Sequence, residues 1–273
     1  MSDRPQQNYL DIATAAALAA GQVLQDRWGK INNIQEKGRG GDLVTEVDKA
    51  SEAVLLEVLQ RHLPDHAILA EESGEINTSH DNPYLWAIDP LDGTTNYAHG
   101  YPVACVSVGL LIDGQPTVGV VYNPLQQELF RAAKGCGATL NYRPIQVSQT
   151  NELSRSLLAT GFAYDRRETA DNNYAEFCYL THQTQGVRRA GAAAMDLVAV
   201  ACGRYDGYWE RGIKPWDVAA GIVILEEAGG KVTAYDRSPL DLASGRILAT
   251  NSYLHDSLSH ALQNVPPLSQ WPI

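Results

Sequence analysis

The stretch Leu85-Trp86-Ala87-Ile88-Asp89-Pro90-Leu91-Asp92-Gly93-Thr94-Thr95-Asn96-Tyr97 decides how this chain is read. Its first four residues are apolar without alternation, the pattern of a strand buried on both faces. Asp89 closes that run, so a carboxylate stands at the carboxyl end of a buried strand. Pro90 is read as stopping the strand, and Asp92-Gly93-Thr94-Thr95 as the first turn of a helix. Two carboxylates ~5 Å apart at an effective dielectric of ~20 repel by about 3 kcal/mol. Such acids must protonate, separate or share cations. Hard divalent ions take oxygen donors, and Mg²⁺ in particular combines few carboxylates with water and substrate phosphate. Asp89 is placed to bridge two such ions, with the Leu91 carbonyl as a neutral donor where the chain turns. The free N–H groups of a helix start, with Gly93 permitting close approach, suit an anion. Together these features point to metal-assisted hydrolysis of a phosphate ester.

Further acids lie beside apolar runs elsewhere. Glu71-Glu72 follows Ile68-Leu69-Ala70, Asp48 lies three residues after Thr45, and Asp217 follows Pro215-Trp216 at a helix start. Taken singly, each has a plain structural reading. Asp92 alone is an N-cap, Glu71-Glu72-Ser73 alone a solvated loop, and Asp217 alone a first-turn acid. It is their combination in one chain that supports a site.

Around this stretch the chain divides into two parts with no repeat or low-complexity linker. Over residues 1–150 the pattern gives a helix at Tyr9–Trp28, a glycine-rich loop at Glu36–Gly41, and a helix from the capping box Thr45-x-x-Asp48 to His62. A mainly antiparallel sheet follows: Ala67–Ala70, Tyr84–Ile88, the hairpin Val103–Ile112 and Pro116–Tyr122 around Asp113-Gly114, then Glu128–Ala133 and Thr139–Val147. Over residues 151–273 strands and helices alternate, as in an α/β layer. Strands are expected at Ser156–Thr160, Tyr205–Trp209, Lys231–Ala234 and Ile247–Thr250. Helices are expected at Thr169–Gln183, Ala192–Cys202, Val218–Ala228 and Ser252–Gln263. The two parts are expected to share an interface.

The 273 residues carry 21 Lys+Arg against 32 Asp+Glu, a net charge of −11, and 44% are apolar. That is a folded chain with a sizeable core, and a poor binder of nucleic acid or of anionic membranes. No run reaches the ~18 apolar residues of a membrane span. The Ala-rich stretch Ala13–Ala20 continues as helix, so no targeting segment is expected and a cytoplasmic location is. Cys105, Cys136, Cys178 and Cys202 form no CxxC pair and are expected to be buried thiols.

At the quoted residues the sequence resembles the inositol monophosphatase family. Trp86 to Tyr97 looks like the family's first signature and Trp216-Asp217-Val218-Ala219-Ala220-Gly221 like its second. Gly41 to Asp48 and Glu71-Glu72-Ser73 are similar to its other acidic segments, and the matches run from about residue 9 to residue 260 in the family's order. The resemblance implies a layered α-β-α-β-α sandwich, mixed α+β and α/β, usually a homodimer, Mg²⁺-dependent with two or three ions per site and inhibited by Li⁺. It implies Glu71, Asp89 and the Leu91 carbonyl at the first ion, Asp89, Asp92 and Asp217 at the second, and Glu71 also near a weaker ion or the attacking water. Thr94, paired with Asp48, would activate that water; Gly93, Thr94 and Thr95 would hold the phosphate.

For the alcohol part of the substrate the resemblance implies Asp92, Gly191, Ala192, Glu210 and Asp217. Ala192 departs from the Ser or Thr common in the family, which removes a hydroxyl contact. Arg188 and Arg189 could serve substrate, a subunit contact or only solvent. The expected substrate is a small phosphate monoester, first myo-inositol 1-phosphate, with histidinol phosphate or fructose 1,6-bisphosphate as alternatives. An added partner-binding role stays open.

Overall fold

The computed structural model of the chain describes residues 5–31, 34–36, 43–79 and 81–268. Helices α1 (Pro5–Arg27) and α2 (Glu46–His62) lie against each other, with β1 (Ile34–Glu36) and β2 (Leu43–Thr45) as an antiparallel pair between them in sequence. Next come β3 (Ala67–Ala70), β4 (Gly74–Ile76), β5 (Tyr84–Asp92), the short helix α3 (Thr94–Ala98), β6 (Cys105–Ile112), β7 (Gln115–Asn123), β8 (Glu128–Ala133), β9 (Ala138–Leu140) and β10 (Arg143–Pro144). These strands form one sheet in the order β10-β9-β8-β7-β6-β5-β3-β4, antiparallel except where β3 runs parallel to β5. The remaining elements are β11 (Leu157–Thr160), α4 (Tyr174–Gln183), β12 (Gly186–Arg188), α5 (Ala193–Ala201), β13 (Gly207–Arg211), α6 (Pro215–Glu227), β14 (Lys231–Thr233), β15 (Arg246–Thr250) and α7 (His255–Gln263). Their strands form a second sheet, β12-β11-β13-β15-β14.

The layers follow from which faces are apolar. Strand side chains alternate, so Trp86 and Ile88 of β5 face α1 and α2 in a core with Leu24, Leu55 and Leu59, while Ala87 faces Ala219 of α6. Helices α5 and α6 lie between the sheets, in a core that joins Val121 and Phe130 of the first sheet to Ala159, Tyr208 and Ile247 of the second. Leu180 of α4 and Leu258 of α7 close the outer face of the second sheet against Leu158, Trp209 and Leu248. The result is the expected α-β-α-β-α sandwich. One small-residue contact sets the position of α6. Gly109 and Gly119 are cross-strand partners in β6 and β7, and a Cβ on Gly109 would meet the Ala220 nitrogen at 2.8 Å. Absence of both side chains lets α6 lie directly on the strands and carries its N-terminus toward the end of β5.

Several local expectations change. Pro90 does not stop β5. The strand continues to Asp92, with its pairing to β6 shifted between Asp89 and Asp92, so the proline sits at a bulge, where its missing N–H costs no regular ladder bond. The helix then starts at Thr94, not Asp92, after Gly93 in the left-handed region at φ 91°. Thr139–Val147 is not one strand, because Asn141 and Tyr142 both take positive φ and turn β9 into β10. Helix α4 begins five residues later than expected, after Asn173 in the left-handed region. The loop expected at Glu36–Gly41 lies outside the described residues apart from Glu36, which ends β1. All four cysteines are free, yet only Cys105 is buried; Cys136 is exposed between two positive-φ glycines, and Cys178 and Cys202 are half-buried. Among the described residues no helix is long and apolar enough to cross a membrane.

Candidate active site

A cavity of about 610 Å³ opens where the carboxyl ends of β3 and β5 meet the N-termini of α5 and α6. Glu71, Asp89, Leu91, Asp92, Gly93, Thr94, Thr95, Gly191, Ala192, Glu210 and Asp217 all line it. So every site residue expected from sequence faces one space except Asp48, which stands behind Thr94.

Backbone geometry brings the acids together. The Glu71 amide donates to the Ile88 carbonyl at 3.3 Å, as an extension of the parallel β3–β5 pairing, and this puts Glu71 beside Asp89. The Leu91 amide donates to Asp89 Oδ1 at 2.8 Å, which folds the chain over Pro90 and turns the Leu91 carbonyl and Asp92 toward the cavity. Asp217 reaches the same place through β6. Ser107, the cross-strand partner of Asp89, donates to the Trp216 carbonyl at 3.0 Å and ties down the first turn of α6. The Lys214 amide donates to Asp217 Oδ2 at 2.6 Å, which fixes that carboxylate as the acid of the first turn. Asp92 accepts from the Ala194 amide at 2.7 Å and caps α5 from across the cavity. Ala192, at the N-cap position, offers no side-chain acceptor for that role. The Asn96 side chain donates to the Val103 and Ala190 carbonyls at 2.7 and 2.8 Å, which holds the Gly191-Ala192 segment against α3.

Thr94 Oγ1 lies 2.9 Å from Asp48 Oδ1 and 3.1 Å from the Leu91 carbonyl oxygen. Its single proton goes to one acceptor at a time, and the residue lines the cavity. Asp48 is fully buried and is fixed from behind: Oδ2 accepts from the Thr45 amide at 2.8 Å and from the Thr45 hydroxyl at 2.6 Å. The amide bond is one half of the capping box expected from the sequence, whose other half is the Thr45 side chain accepting from the helix backbone; the hydroxyl bond to Asp48 is additional.

Electrostatics tests whether these donors fit a cation. Burial pushes Asp89 well above the usual carboxylate range, and the charges of Glu71, Asp92 and Asp217, with a Glu71 hydrogen bond, push it further. Burial also lifts Asp92 to about 7, offset in part by the Ala194 amide. Asp217 is raised well above its usual range by burial and then by Asp92. Left to themselves these acids hold protons; a divalent cation would reverse the balance. Among the described residues no three acid, histidine or cysteine side chains already close on one point as a finished cage. An open set of oxygens facing a shared space still suits Mg²⁺, which keeps several waters and few carboxylates. The donors therefore fit a hard divalent ion.

The opposite wall has its own chemistry. Glu210 projects from β13, accepts from the Tyr208 hydroxyl at 2.6 Å, and is raised to about 7 by burial. Its carboxylate fills the space that a Cβ on Gly161 would need. Asp196 also lines this wall and was not singled out in the sequence. It is 2% exposed, its Oδ1 has no hydrogen-bond partner among the described residues, and burial followed by Glu210 raises it well above the usual range. An acid inside an otherwise apolar helix, Ala193–Ala201, was the available signal. Ser107, a lone hydroxyl in an apolar strand, was a second. Arg189, whose role stood open, is exposed at the rim and draws Asp196 and Glu210 downward.

Clustered carboxylates fit for divalent ions, set beside a hydroxyl–carboxylate pair and the amides of a helix start, are the equipment of a cation-assisted phosphatase. The family model described as the inositol monophosphatase family matches residues 5–266, and the chain belongs to that family. It is 68% identical over 265 residues to the inositol-1-monophosphatase of Synechocystis sp., covering 97% of this chain and 91% of that one. It is 41% identical over 266 residues to the Nus factor SuhB of Pseudomonas aeruginosa, covering 96% and 98%. The solved inositol monophosphatase of Anabaena (Nostoc) sp. PCC 7120 superposes with a TM-score of 0.91 at 66% identity, covering 98% of this chain and 100% of that one.

Proposed function

We propose that this phosphatase hydrolyses myo-inositol 1-phosphate to myo-inositol and inorganic phosphate in a Mg²⁺-dependent reaction. The observation that supports this reading best is the gathering of Glu71, Asp89, Asp92 and Asp217, from three separate segments, around one cavity that also contains Thr94 and Glu210. The 68% identical relative named for inositol 1-monophosphate turnover favours the same substrate.

Glu71, Asp89 and the Leu91 carbonyl would hold one ion, Asp89, Asp92 and Asp217 a second, and Glu71 would also serve a third, weaker one. When bound, Mg²⁺ acidifies water and offsets negative charge on the phosphate and on the leaving oxygen. The amides of Gly93, Thr94 and Thr95 orient the phosphate oxygens at the start of α3. Thr94 accepts a hydrogen bond from the attacking water while donating to Asp48, so a proton leaving the water has a path from Oγ1 to the buried carboxylate. Water adds its oxygen to phosphorus and loses a proton toward Asp48, the ester P–O bond breaks, and the leaving alkoxide takes a proton from a solvent water. Glu210, with Asp92, Asp217 and the Gly191-Ala192 backbone, accepts hydrogen bonds from the polyol hydroxyls.

Li⁺ inhibition, a homodimer and a cytoplasmic location belong to the same proposal. The test is phosphate release with Mg²⁺, with and without Li⁺, from inositol 1-phosphate, histidinol phosphate and fructose 1,6-bisphosphate. Li⁺-sensitive preference for the first supports the reading; preference for another ester keeps the reaction and overturns the substrate. Light scattering at the mass of one chain would remove the dimer. The relative named as a Nus factor favours a second, partner-binding role beside catalysis. Partner binding that survives Asp89→Asn while phosphate release is lost would separate the two.

A further inference from the structure

Helix α2 presents three buried polar side chains on one face, at the i, i+3, i+4 spacing: Asp48, Ser51 and Glu52, at 0%, 0% and 3% exposure. Each holds a different piece of the cavity wall. Asp48 takes the Thr94 hydroxyl, and Ser51 donates to the Pro90 carbonyl at 2.8 Å. Glu52 accepts from the Glu72 amide at 2.8 Å with one oxygen and from the Ser73 hydroxyl with the other. Burying a carboxylate is costly unless donors satisfy it. Neither oxygen is spent on capping its own helix, and no ion pair between Glu52 and a basic side chain occurs among the described residues. Both go to the tight turn between β3 and β4, the turn that begins with Glu71.

We propose that Glu52 is a positioning residue for Glu71, clamping the Glu71-Glu72-Ser73 turn so that the Glu71 carboxylate meets a cation at a fixed distance from Asp89. The inference rests on the proposed role of Glu71 as a metal ligand. Two contacts beyond the β3–β4 pairing bear on where Glu71 sits. One is its own amide on the Ile88 carbonyl, at 3.3 Å. The other is the Glu52 clamp on the next two residues. A 3.3 Å contact is long for a backbone hydrogen bond. The charge-assisted clamp is therefore the stronger restraint.

The test measures metal binding directly, on the whole chain stripped with chelator: Mg²⁺ by calorimetry and Mn²⁺ by electron paramagnetic resonance. Glu52→Gln replaces an acceptor with an amide N–H that faces one of the two donors. It is expected to weaken Mg²⁺ about 10–100-fold, the usual effect of losing an outer partner of a ligand. The KM for phosphate ester at saturating Mg²⁺ should stay unchanged. Ser73→Ala removes one leg of the clamp at an exposed residue, and a smaller loss, about 2–5-fold, is expected. Glu71→Gln is the control. If it weakens the metal while Glu52→Gln and Ser73→Ala leave the affinity as it was, the clamp is overturned and the ligand assignment stands. If Glu71→Gln itself changes nothing, the ligand assignment falls and the clamp falls with it. If Glu52→Gln does not fold, Ser73→Ala decides alone: a weaker metal supports the clamp, an unchanged one overturns it.

Discussion

The two walls of the cavity are built in different ways. On the α2 side, Asp48, Ser51 and Glu52 are buried and each hydrogen-bonds a segment that carries a proposed site residue. On the β13 side, Glu210 accepts from a tyrosine hydroxyl, Asp196 has an oxygen without a partner among the described residues, and the cavity residues Tyr164 and Arg189 are exposed. A wall that must hold atoms for bond breaking needs fixed geometry. A wall that reads the alcohol can be held by fewer bonds, and substitutions there change selection before they change chemistry. The proposed roles would place bond breaking and alcohol selection on differently built walls, with Asp92 and Asp217 shared between them.

That contrast can be broken by experiment. The largest effect is expected from Asp89→Asn, since Asp89 faces both proposed ions. A loss on the order of 10³-fold in turnover should accompany weaker Mg²⁺ binding, because a bound ion contributes several kcal/mol at the transition state. Turnover near wild type at saturating Mg²⁺ would remove Asp89 from the metal set. Thr94→Ala comes next. A loss of about 10²-fold in kcat with Mg²⁺ affinity retained fits a residue acting on water; a change in metal affinity alone would reassign it.

On the other wall, Glu210→Gln is expected to raise KM about tenfold, the scale of one charged hydrogen bond, and to leave the Mg²⁺ response alone. Gly161→Ala should act in the same direction and more weakly, because the new methyl displaces the Glu210 carboxylate. An effect of either on kcat and Mg²⁺ equal to that of Thr94→Ala would erase the distinction between walls.

The smallest effect is on stability. In the folded, metal-free chain Asp92 and Glu210 have pKa values of about 7, one on each wall. Unfolded, each returns to about 4. Between those values the folded state binds more protons, so the stabilisation is complete below about pH 4 and is lost as pH rises through about 7. With chelator the melting temperature should therefore be lower at pH 8 than at pH 6, by a few degrees. Mg²⁺ should raise it more at pH 8, where the acids are ionised. Glu210→Gln should remove its share of the pH effect but not that of Mg²⁺. Equal melting at the two pH values with chelator would mean that the acids are not held neutral.

The sequence by itself determined most of the elements and, through the family resemblance, the layered fold and the acids expected at the site, though not Asp196. Apolar alternation, the Asp113-Gly114 hairpin and the capping box at Thr45 are local signals, each written within a few residues. The acids stood out because charge beside an apolar run costs free energy wherever the chain goes. Only the tertiary structure decided what depends on distant segments meeting. Pro90 reads locally as a stop, yet the pairing with β6 carries β5 past it to Asp92. Asp217 reaches Asp89 because Gly109 and Gly119 let α6 lie on the sheet and Ser107 holds its first turn. Glu52 looks in sequence like one more polar residue of an amphipathic helix. Its role exists only because the Glu71 turn, some twenty residues away, folds back onto the same buried face, where a carboxylate must find donors.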